Sequence, residues 1–262
     1  MLRPQQTMLY REFKPGARLQ SWVAAYWHFR VSANGGTHVL HTIPLTGAAM
    51  LAVGMSGRWI AVEGPRTHPL QVPVHAGDEF WGVHFVPGAA ECLLGRALRD
   101  LHIPAESFAT PTWISATLAR LDPVRTLSDA RKALDLSLGE LMKVPPRLDP
   151  HVLACIGLII RSNGSLPISQ VAAAVGLSER QVRRRFRAMT GLTPKEFARV
   201  RRARAALVDA AHTVLPRWCE IALERGFADQ AHLIAEFRRT LGTTPRSMMR
   251  HVRRIRHGRV LT

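Results

Sequence analysis

The C-terminal half of the sequence contains two segments that repeat one pattern of residues at a nearly constant separation. The separation is 50 residues before a glycine-containing turn and 51 residues after it, so the second segment has one extra residue in its turn. This repeat predicts two copies of one small structural unit. The matched positions are Val171-Ala172 with Ile221-Ala222, Gly176-Leu177 with Gly226-Phe227, Val182 with Leu233, Phe186-Arg187 with Phe237-Arg238, Gly191 with Gly242, and Thr193-Pro194 with Thr244-Pro245.

Each copy contains the parts of a helix-turn-helix. In the first copy, Ala172 lets one helix pack closely on the next, and Gly176 supplies the left-handed backbone conformation that ends the first helix. Ser178 is the predicted N-cap of the second helix. The corresponding residues of the second copy are Ala222, Gly226 and Asp229.

The second helix of the first copy has an apolar side and a basic side. Val182, Phe186 and Met189 recur at steps of four and three residues, which is typical of a helix side that packs into a core. Arginine suits the major groove of DNA because its guanidinium group donates to guanine O6 and N7 and to phosphates. We therefore interpret this helix as a DNA recognition helix, with Arg184 reading a base and Arg187 contacting a phosphate. The outward residues are Arg180, Gln181, Arg183, Arg184 and Arg187, and Gln181 is a further predicted phosphate contact.

The matching helix of the second copy is less basic. Leu233 and Phe237 form its predicted core side. Gln230 suits an adenine edge or the DNA backbone, Ile234 a thymine methyl group, and Arg238 a phosphate. We expect base readout to depend more on the first copy, and an alternative is that the second copy only supports the first. The outward residues are Gln230, Ala231, His232, Ile234, Ala235 and Arg238.

A longer helix is predicted between the two copies, from Pro194 to Ala210, with Thr193 as its N-cap. At 1.5 Å per residue it would be about 25 Å long. Such a helix would hold the two recognition helices apart, so that they meet successive major grooves about 34 Å apart. Its arginines are predicted to contact phosphates or acidic side chains; they are Arg199, Arg201, Arg202 and Arg204. Of these, Arg199 and Arg202 are the predicted phosphate contacts.

The positive charge of the chain is concentrated in this same half. The chain has 36 Lys and Arg against 19 Asp and Glu, a net charge of +17. Residues 151–262 hold 21 of the basic and 7 of the acidic residues, a balance of +14, and 20 of these basic residues are arginines. This balance favours a polyanionic partner over a small acidic substrate.

The N-terminal half reads as short strands followed by helices, and turn residues separate most of the strands. Such strands form either a small sheet or a barrel, and a cupin-like arrangement is one form of the latter. The predicted strands run from Trp22 to Val31, Thr37 to Ile43, Ala48 to Val53, Arg58 to Val62, Leu70 to His75 and Phe80 to Val86. The predicted helices run from Ala89 to Leu98, Thr112 to Leu121 and Leu127 to Met142.

Paired prolines in the segment VPPRLDP mark the best boundary between the two halves, because proline resists both helix and sheet. The predicted fold class is α+β. It comprises a β-rich domain ending in helices at 1–143, a linker at 144–150, and an all-α domain of seven helices at 151–256. The seven helices are predicted at about 149–162, 167–175, 178–190, 194–210, 217–225, 229–240 and 245–254.

The repeated units resemble the AraC/XylS family of bacterial transcription regulators. VAAAVGLSERQVRRRFRAMTGLTPKEFARVRRARAAL looks like the first helix-turn-helix of that family, and IALERGFADQAHLIAEFRRTLGTTPRSM is similar to its second, signature unit. The resemblance covers about residues 149–250. It implies a seven-helix DNA-binding domain in a promoter-bound regulator, usually an activator.

Carried over by matching positions, the resemblance also implies base contacts. They fall on Arg180, Arg183 and Arg184 in the first unit and on Gln230, Ala231, Ile234 and Ala235 in the second. Ala231 and Ala235 depart from the polar residues often found there, which weakens the expectation of direct readout by the second unit. The partners implied are double-stranded DNA and, as further candidates, RNA polymerase and an unidentified small-molecule effector.

The N-terminal half resembles a companion domain found before such modules. The segments YWHFR at 26–30 and GVHFVPGAAECLLG at 82–95 look like its hallmark strands and turn. A Pro-Leu-Thr-Gly sequence at 44–47 stands where that domain commonly has Pro-Asp-Gly. The resemblance implies a sensor or dimerisation domain, with a homodimer as the candidate assembly, and names no ligand.

Two other functions compete with that of a transcription regulator. An enzyme finds little support, because phosphate-binding, dinucleotide-binding and zinc-protease motifs are missing and three cysteines cannot supply a four-thiolate zinc site. We therefore expect no enzymatic activity, metal or cofactor. The second interpretation is an architectural nucleic-acid binder whose first half serves only as a scaffold.

The histidines of the N-terminal half are a separate question. In a barrel, His38 and His84 could face the interior and contact a metal or a ligand. The alternative is that they are ordinary surface or hydrogen-bonded histidines.

The expected cell compartment rests on the absence of a membrane-spanning stretch and of a secretion signal in the sequence. The longest apolar stretch, Val152 to Ile160, is far shorter than the roughly 20 residues that span a bilayer. The first residues lack the apolar segment of a secretion signal. We expect a cytoplasmic protein without a membrane partner, and one that reads two successive major grooves of a specific sequence under ligand control.

Overall fold

The structure is a computed structural model that describes residues 8–33, 38–43, 45–66, 68–107 and 111–257. Within these residues a β-rich domain ending in helices is followed by a helical domain. The strands are β1 (Met8–Phe13), β2 (Val23–Val31), β3 (His38–Ile43), β4 (Met50–Gly54), β5 (Trp59–Glu63), β6 (Leu70–His75), β7 (Glu79–Phe85), β8 (His102–Pro104) and β9 (Ile255–His257). The helices are α1 (Ala89–Leu94), α2 (Pro111–Leu121), α3 (Leu127–Leu141), α4 (Pro150–Arg161), α5 (Ile168–Ala174), α6 (Glu179–Thr190), α7 (Pro194–Ala211), α8 (Trp218–Glu224), α9 (Gln230–Leu241) and α10 (Pro245–Val252).

The strands of the N-terminal domain form two sheets. Seven strands lie in the order β8-β5-β4-β7-β2-β1-β9, and β3 pairs with β6 in a separate two-stranded sheet. The order of the larger sheet is linear and has two ends, so the cupin-like alternative is not confirmed. All six predicted strands are present. Three further strands, β1, β8 and β9, were missed.

The large sheet is covered on both faces because successive side chains of a strand point to opposite sides. On β2, Tyr26 is buried in the cluster formed with α2 and α3, and its hydroxyl donates to Asp135 at 2.8 Å. The next residue, Trp27, is buried in a second cluster that includes Val74 of β6. The predicted helix from Ala89 is shorter than expected, since Gly95 has a φ of 63° and caps α1.

The C-terminal domain contains the seven predicted helices α4–α10. The first helix-turn-helix packs around Phe186 of α6, and the second packs around Phe237 of α9. Helix α7 contributes Phe197 to the first of these cores and Ala206 to the second. With 18 residues, α7 is about 27 Å long at 1.5 Å per residue, and it joins the two units through one continuous helix.

The two domains also meet at the end of the described chain. Strand β9 pairs in parallel with β1 and so extends the N-terminal sheet, although its residues follow the helical domain in sequence. Nearby, Nε2 of His251 on α10 accepts from the backbone N–H of Thr42 at 3.3 Å and lies 3.0 Å from Nδ1 of His41. The predicted boundary at residue 256 is therefore crossed by a strand that belongs to the first domain's sheet.

Candidate nucleic-acid interface

Helix α6 begins with a capping box that holds its first turn. The backbone N–H of Gln181 donates to Ser178 Oγ at 3.3 Å, and the N–H of Ser178 donates to Gln181 Oε1 at 2.9 Å. The helix ends at Gly191, whose φ of 73° suits glycine. Because the amide oxygen of Gln181 is used in the cap, its amide NH2 group is the part suited to a phosphate.

The rotation of α6 about its axis agrees with the sequence pattern. Val182 and Phe186 are buried at 1% and 0% exposure and point into the first core. Arg185 lies on the flank of the helix, where it forms an ion pair with Asp149 at 3.3 Å. The outward residues are all exposed and line one open surface concavity together with Ala188: Arg180, Gln181, Arg183, Arg184 and Arg187.

Helix α9 presents the corresponding face of the second unit. Its N-cap Asp229 accepts from the backbone N–H of His232 at 2.7 Å, and Leu233 is buried. Gln230, Ala231, Ala235 and Arg238 are exposed and Ile234 is half-buried.

A shallow concavity on this second face includes two residues of α8 that the sequence analysis missed. They are Cys219 and Leu223. The thiol of Cys219 donates to Gln230 Oε1 at 2.9 Å, so α8 orients the side chain expected to reach the DNA. Only the three-dimensional packing of α8 on α9 reveals this contact, because the two residues lie eleven positions apart in sequence.

Two of the predicted phosphate contacts on α7 have protein partners. Arg199 lies 3.7 Å from Glu236 of α9. The guanidinium group of Arg202 donates to the backbone oxygens of Gly164 and Gly226. The phosphate contacts expected of Arg199 and Arg202 are therefore not included in the interface that we propose, because both guanidinium groups face other helices and turns of the domain.

The N-terminal domain touches α6 and α7 at a different place from the arginine face. A Cβ on Gly88 would lie 2.7 Å from the side chain of Met189, near the C-terminal end of α6. Arg99 donates to both carboxylate oxygens of Glu196 on the first turn of α7. These contacts lie at the C-terminal end of α6 and the start of α7, whereas Arg180 lies at the N-terminal end of α6.

Of the two histidines considered as metal or ligand contacts, the structure describes the side chain of His84. Nε2 of His84 lies 3.2 Å from the hydroxyl of Tyr10, and the pKa of His84 is lowered to about 4, mainly by burial. The side chain of His38 lies outside the described residues. In the part of the chain that the structure describes, no group of three or more His, Cys, Asp or Glu side chains could hold a metal ion. Among the same residues, no helix has the length and apolar character required for a membrane span.

These features define a class: a two-domain protein with a pair of helix-turn-helix units joined by one long helix, each unit presenting an exposed recognition helix. Residues 171–251 match the family model described as a helix-turn-helix domain, and residues 11–103 match a domain of unknown function (DUF6597). The chain thus carries an AraC-type helix-turn-helix domain, a DNA-binding domain, after an N-terminal domain of that second family. No curated protein sequence matches the chain.

One solved structure shares the fold of both domains, and others are similar over the DNA-binding domain alone. ToxT from Vibrio cholerae is 11% identical, with a TM-score of 0.50 over 86% of this chain and 97% of ToxT, so both domains share its fold. An AraC-type DNA-binding domain-containing transcriptional regulator from Chromobacterium violaceum is 24% identical over 40% of this chain and 92% of its own, with a TM-score of 0.36. The DNA-binding domain of the global transcriptional factor AdpA, in complex with a target DNA, is 24% identical over 40% of this chain and 95% of its own, also at 0.36.

Proposed function

We propose that this protein is a sequence-specific, promoter-binding transcription regulator of the cytoplasm that inserts α6 and α9 into two successive major grooves. The observation that carries the proposal is the exposed face of α6, on which four arginines and Gln181 lie together beside a single acidic residue, Glu179. A face of this kind suits a groove that offers guanine acceptors between two rows of phosphates.

The proposed contacts divide into base readers and phosphate contacts. Arg180, Arg183 and Arg184 on α6 read bases, and α9 adds a weaker, more apolar readout. The phosphate contacts are Gln181, Arg187 and Arg238. The base-reading positions of α9 are Gln230, Ala231, Ile234 and Ala235.

The N-terminal domain serves as a sensor or dimerisation domain in this proposal. Its contacts with the C-terminal end of α6 and the start of α7 give it a direct way to bias the position of the first recognition helix. Activation through RNA polymerase is the mode of regulation that we propose. A promoter-reporter assay, repeated with Arg184→Ala, tests it: wild-type protein should raise transcription and the variant should not.

Selection of bound duplexes from a random pool tests the DNA-binding function. The full chain should enrich a motif of two blocks with centres about 10 base pairs apart, one helical turn. The first block should be the more strongly specified, because α6 carries most of the polar base-reading side chains. A pool that stays unselected, despite tight and salt-sensitive binding, would instead indicate an architectural binder and contradict the proposal.

Effector control is tested separately from DNA binding. Native mass spectrometry of the purified full chain should detect a co-purified small molecule, and removing it should change affinity for the selected duplex. If the affinity is the same with and without every detected molecule, the N-terminal domain is not the ligand sensor proposed here.

A further inference from the structure

Arg202 lies in the middle of α7, between the two helix-turn-helix units. Its Nε and Nη2 atoms donate to the backbone oxygen of Gly164 at 3.2 and 2.8 Å, and its Nη1 atom donates to the backbone oxygen of Gly226 at 3.2 Å. The guanidinium carbon also lies 5.6 Å from the centre of the Phe227 ring. One side chain therefore binds a turn of each unit.

The two glycines lie in different turns of the domain. Gly164 lies in the turn between α4 and α5, just before the first helix-turn-helix, and Gly226 lies in the turn between the two helices of the second. Each has a positive φ, 74° and 71°, a left-handed conformation that glycine adopts readily.

The packing is tight around Gly164 and ordinary around Gly226. A Cβ on Gly164 would lie 2.0 Å from the backbone oxygen of Ala198 on α7, and a Cβ on Gly226 would lie 4.0 Å from the Cβ of Ser165. The turns of the two units are therefore neighbours, and both lie against α7. A rotation of one unit relative to the other would have to break bonds to Arg202.

We propose that Arg202 is a positioning residue that fixes the relative orientation of the two recognition helices, and thereby the distance between DNA blocks that the protein accepts. This proposal rests on the two-groove function proposed above and adds a specificity-determining residue to it. Arg202 itself touches no DNA. Its effect on DNA recognition is transmitted through the backbone turns at Gly164 and Gly226.

The chemistry of arginine explains how one residue can hold both turns. A guanidinium group is planar and presents five N–H donors in a fixed geometry, so it can bind two separate carbonyl groups at once. A lysine ammonium group keeps the charge but lacks this fork. Arg202→Lys is therefore a charge-conserving change that should release at least one of the two turns.

The matched control is Arg204→Lys on the same helix. Arg204 lies near Tyr10 and His84 of the N-terminal domain. Burial raises the pKa of Tyr10 and lowers that of His84, and the positive charge of Arg204 favours ionised Tyr10 and disfavours protonated His84. The control keeps the same change of residue type on α7 but leaves the contacts to Gly164 and Gly226 in place.

The experiment measures affinities of the full-length proteins for three duplexes. The first is the two-block duplex selected by the wild-type chain, the second has one base pair inserted between the blocks, and the third has the second block scrambled. One inserted base pair rotates the second block by about 34 to 36° about the DNA axis, since a turn takes 10 to 10.5 base pairs. Thermal unfolding of each protein is recorded alongside.

The expected result is a change in spacing dependence. Wild type and Arg204→Lys should bind the inserted duplex about tenfold more weakly than the selected one, as if one or two good base contacts were lost. Arg202→Lys should bind the selected duplex more weakly than wild type. Its insertion penalty should be below about threefold, because the second unit can turn to follow the shifted block.

Three results would overturn the proposal, and they have different meanings. If Arg202→Lys keeps the full insertion penalty, Arg202 does not set the spacing. If Arg202→Lys loses as much affinity for the scrambled duplex as for the selected one, its role is general stability rather than positioning. If scrambling the second block does not weaken wild-type binding, the two-groove function itself is wrong, independently of Arg202.

Discussion

Arg99 of the N-terminal domain donates two hydrogen bonds to the carboxylate of Glu196 on the first turn of α7, at 2.8 and 3.3 Å. The same carboxylate accepts the backbone N–H of Thr193 at 2.7 Å and so completes the capping box of α7. Burial opposes the ionised form of Glu196, but the bonds from Thr193 and Arg99 hold its pKa below its usual value. One side chain therefore starts the helix that joins the DNA-binding units and fastens it to the N-terminal domain.

This double role predicts unequal effects for the two partners. Arg99→Ala removes the link between domains and an exposed contact to Asp100, and it should lower the free energy of unfolding in urea by about 1 kcal/mol. Glu196→Ala should cost about 2 kcal/mol, because it also removes the capping box. The exposed neighbour Arg96 provides the control, since Arg96→Ala should change stability by less than about 0.5 kcal/mol. Equal losses for Arg99→Ala and Glu196→Ala would show that the cap adds nothing.

Arg184 and Arg187 should differ in what they do for DNA binding. Both are exposed on α6, but Arg184 is closer to the N-terminal end of the helix, the end that we propose enters the groove. Arg184→Ala should relax preference at one base pair, a loss of about 1 to 3 kcal/mol of discrimination. Arg187→Ala should weaken all sequences alike and reduce the slope of log affinity against log salt by about one.

The measurement for this pair is a binding series over single-base variants of the selected duplex, at several salt concentrations. An Arg184→Ala protein that binds every duplex more weakly but ranks them as wild type does would mean that α6 is docked in a different rotation.

Phe186 should be required for the first unit to fold. It is fully buried, and its ring centre lies 5.6 Å from that of Phe197 on α7. Phe186→Ala should cost about 3 to 5 kcal/mol of unfolding free energy, through lost burial and the cavity left behind. Arg183→Ala, on the outward side of the same helix, should cost less than about 0.5 kcal/mol. Chemical denaturation followed by circular dichroism distinguishes the two variants.

Glu91 should make the protein less stable at alkaline pH. It is 6% exposed on α1, and burial raises its pKa to about 7 from a usual value near 4.5, against backbone N–H groups that lower it. The folded state thus binds more protons than the unfolded state between about pH 4.5 and 7, so the contribution of Glu91 to stability falls as pH rises through that range. Glu91→Met should stabilise the protein by about 1 to 3 kcal/mol at pH 8, and the gain should shrink at pH 5.

Urea unfolding of the wild type and Glu91→Met at both pH values checks this prediction. Since all other titrating groups are shared, the difference between the two proteins isolates Glu91. A gain that is the same at pH 5 and pH 8 would mean that the carboxyl group titrates normally.

The sequence predicted the helices of the DNA-binding domain well because their signals are local. Ser178, Thr193 and Asp229 act as the N-caps that their residue types suggest, and Gly191 and Gly242 end their helices in the left-handed conformation. The outward face of α6 followed from the same periodicity. These features depend on neighbours within one or two helical turns, which a sequence displays directly.

Contacts between distant segments were not predictable in this way. On β1 only the two end residues, Met8 and Phe13, are buried, so no apolar alternation marks the strand. β9 has three residues and pairs with β1, at the opposite end of the described chain. Arg202 looked like one more basic residue of α7, because the carbonyl groups that it binds belong to turns 38 and 24 residues away. Its partners become apparent only when the turns at Gly164 and Gly226 are placed side by side.

The pairing of β9 with β1 has a consequence for how the chain is made. Strand β1 leaves the ribosome among the first described residues, whereas β9 leaves among the last. Domains generally begin to fold during synthesis, N-terminal part first. The sheet of the N-terminal domain therefore forms with one edge open, and β9 can pair with β1 only after both helix-turn-helix units have been synthesised.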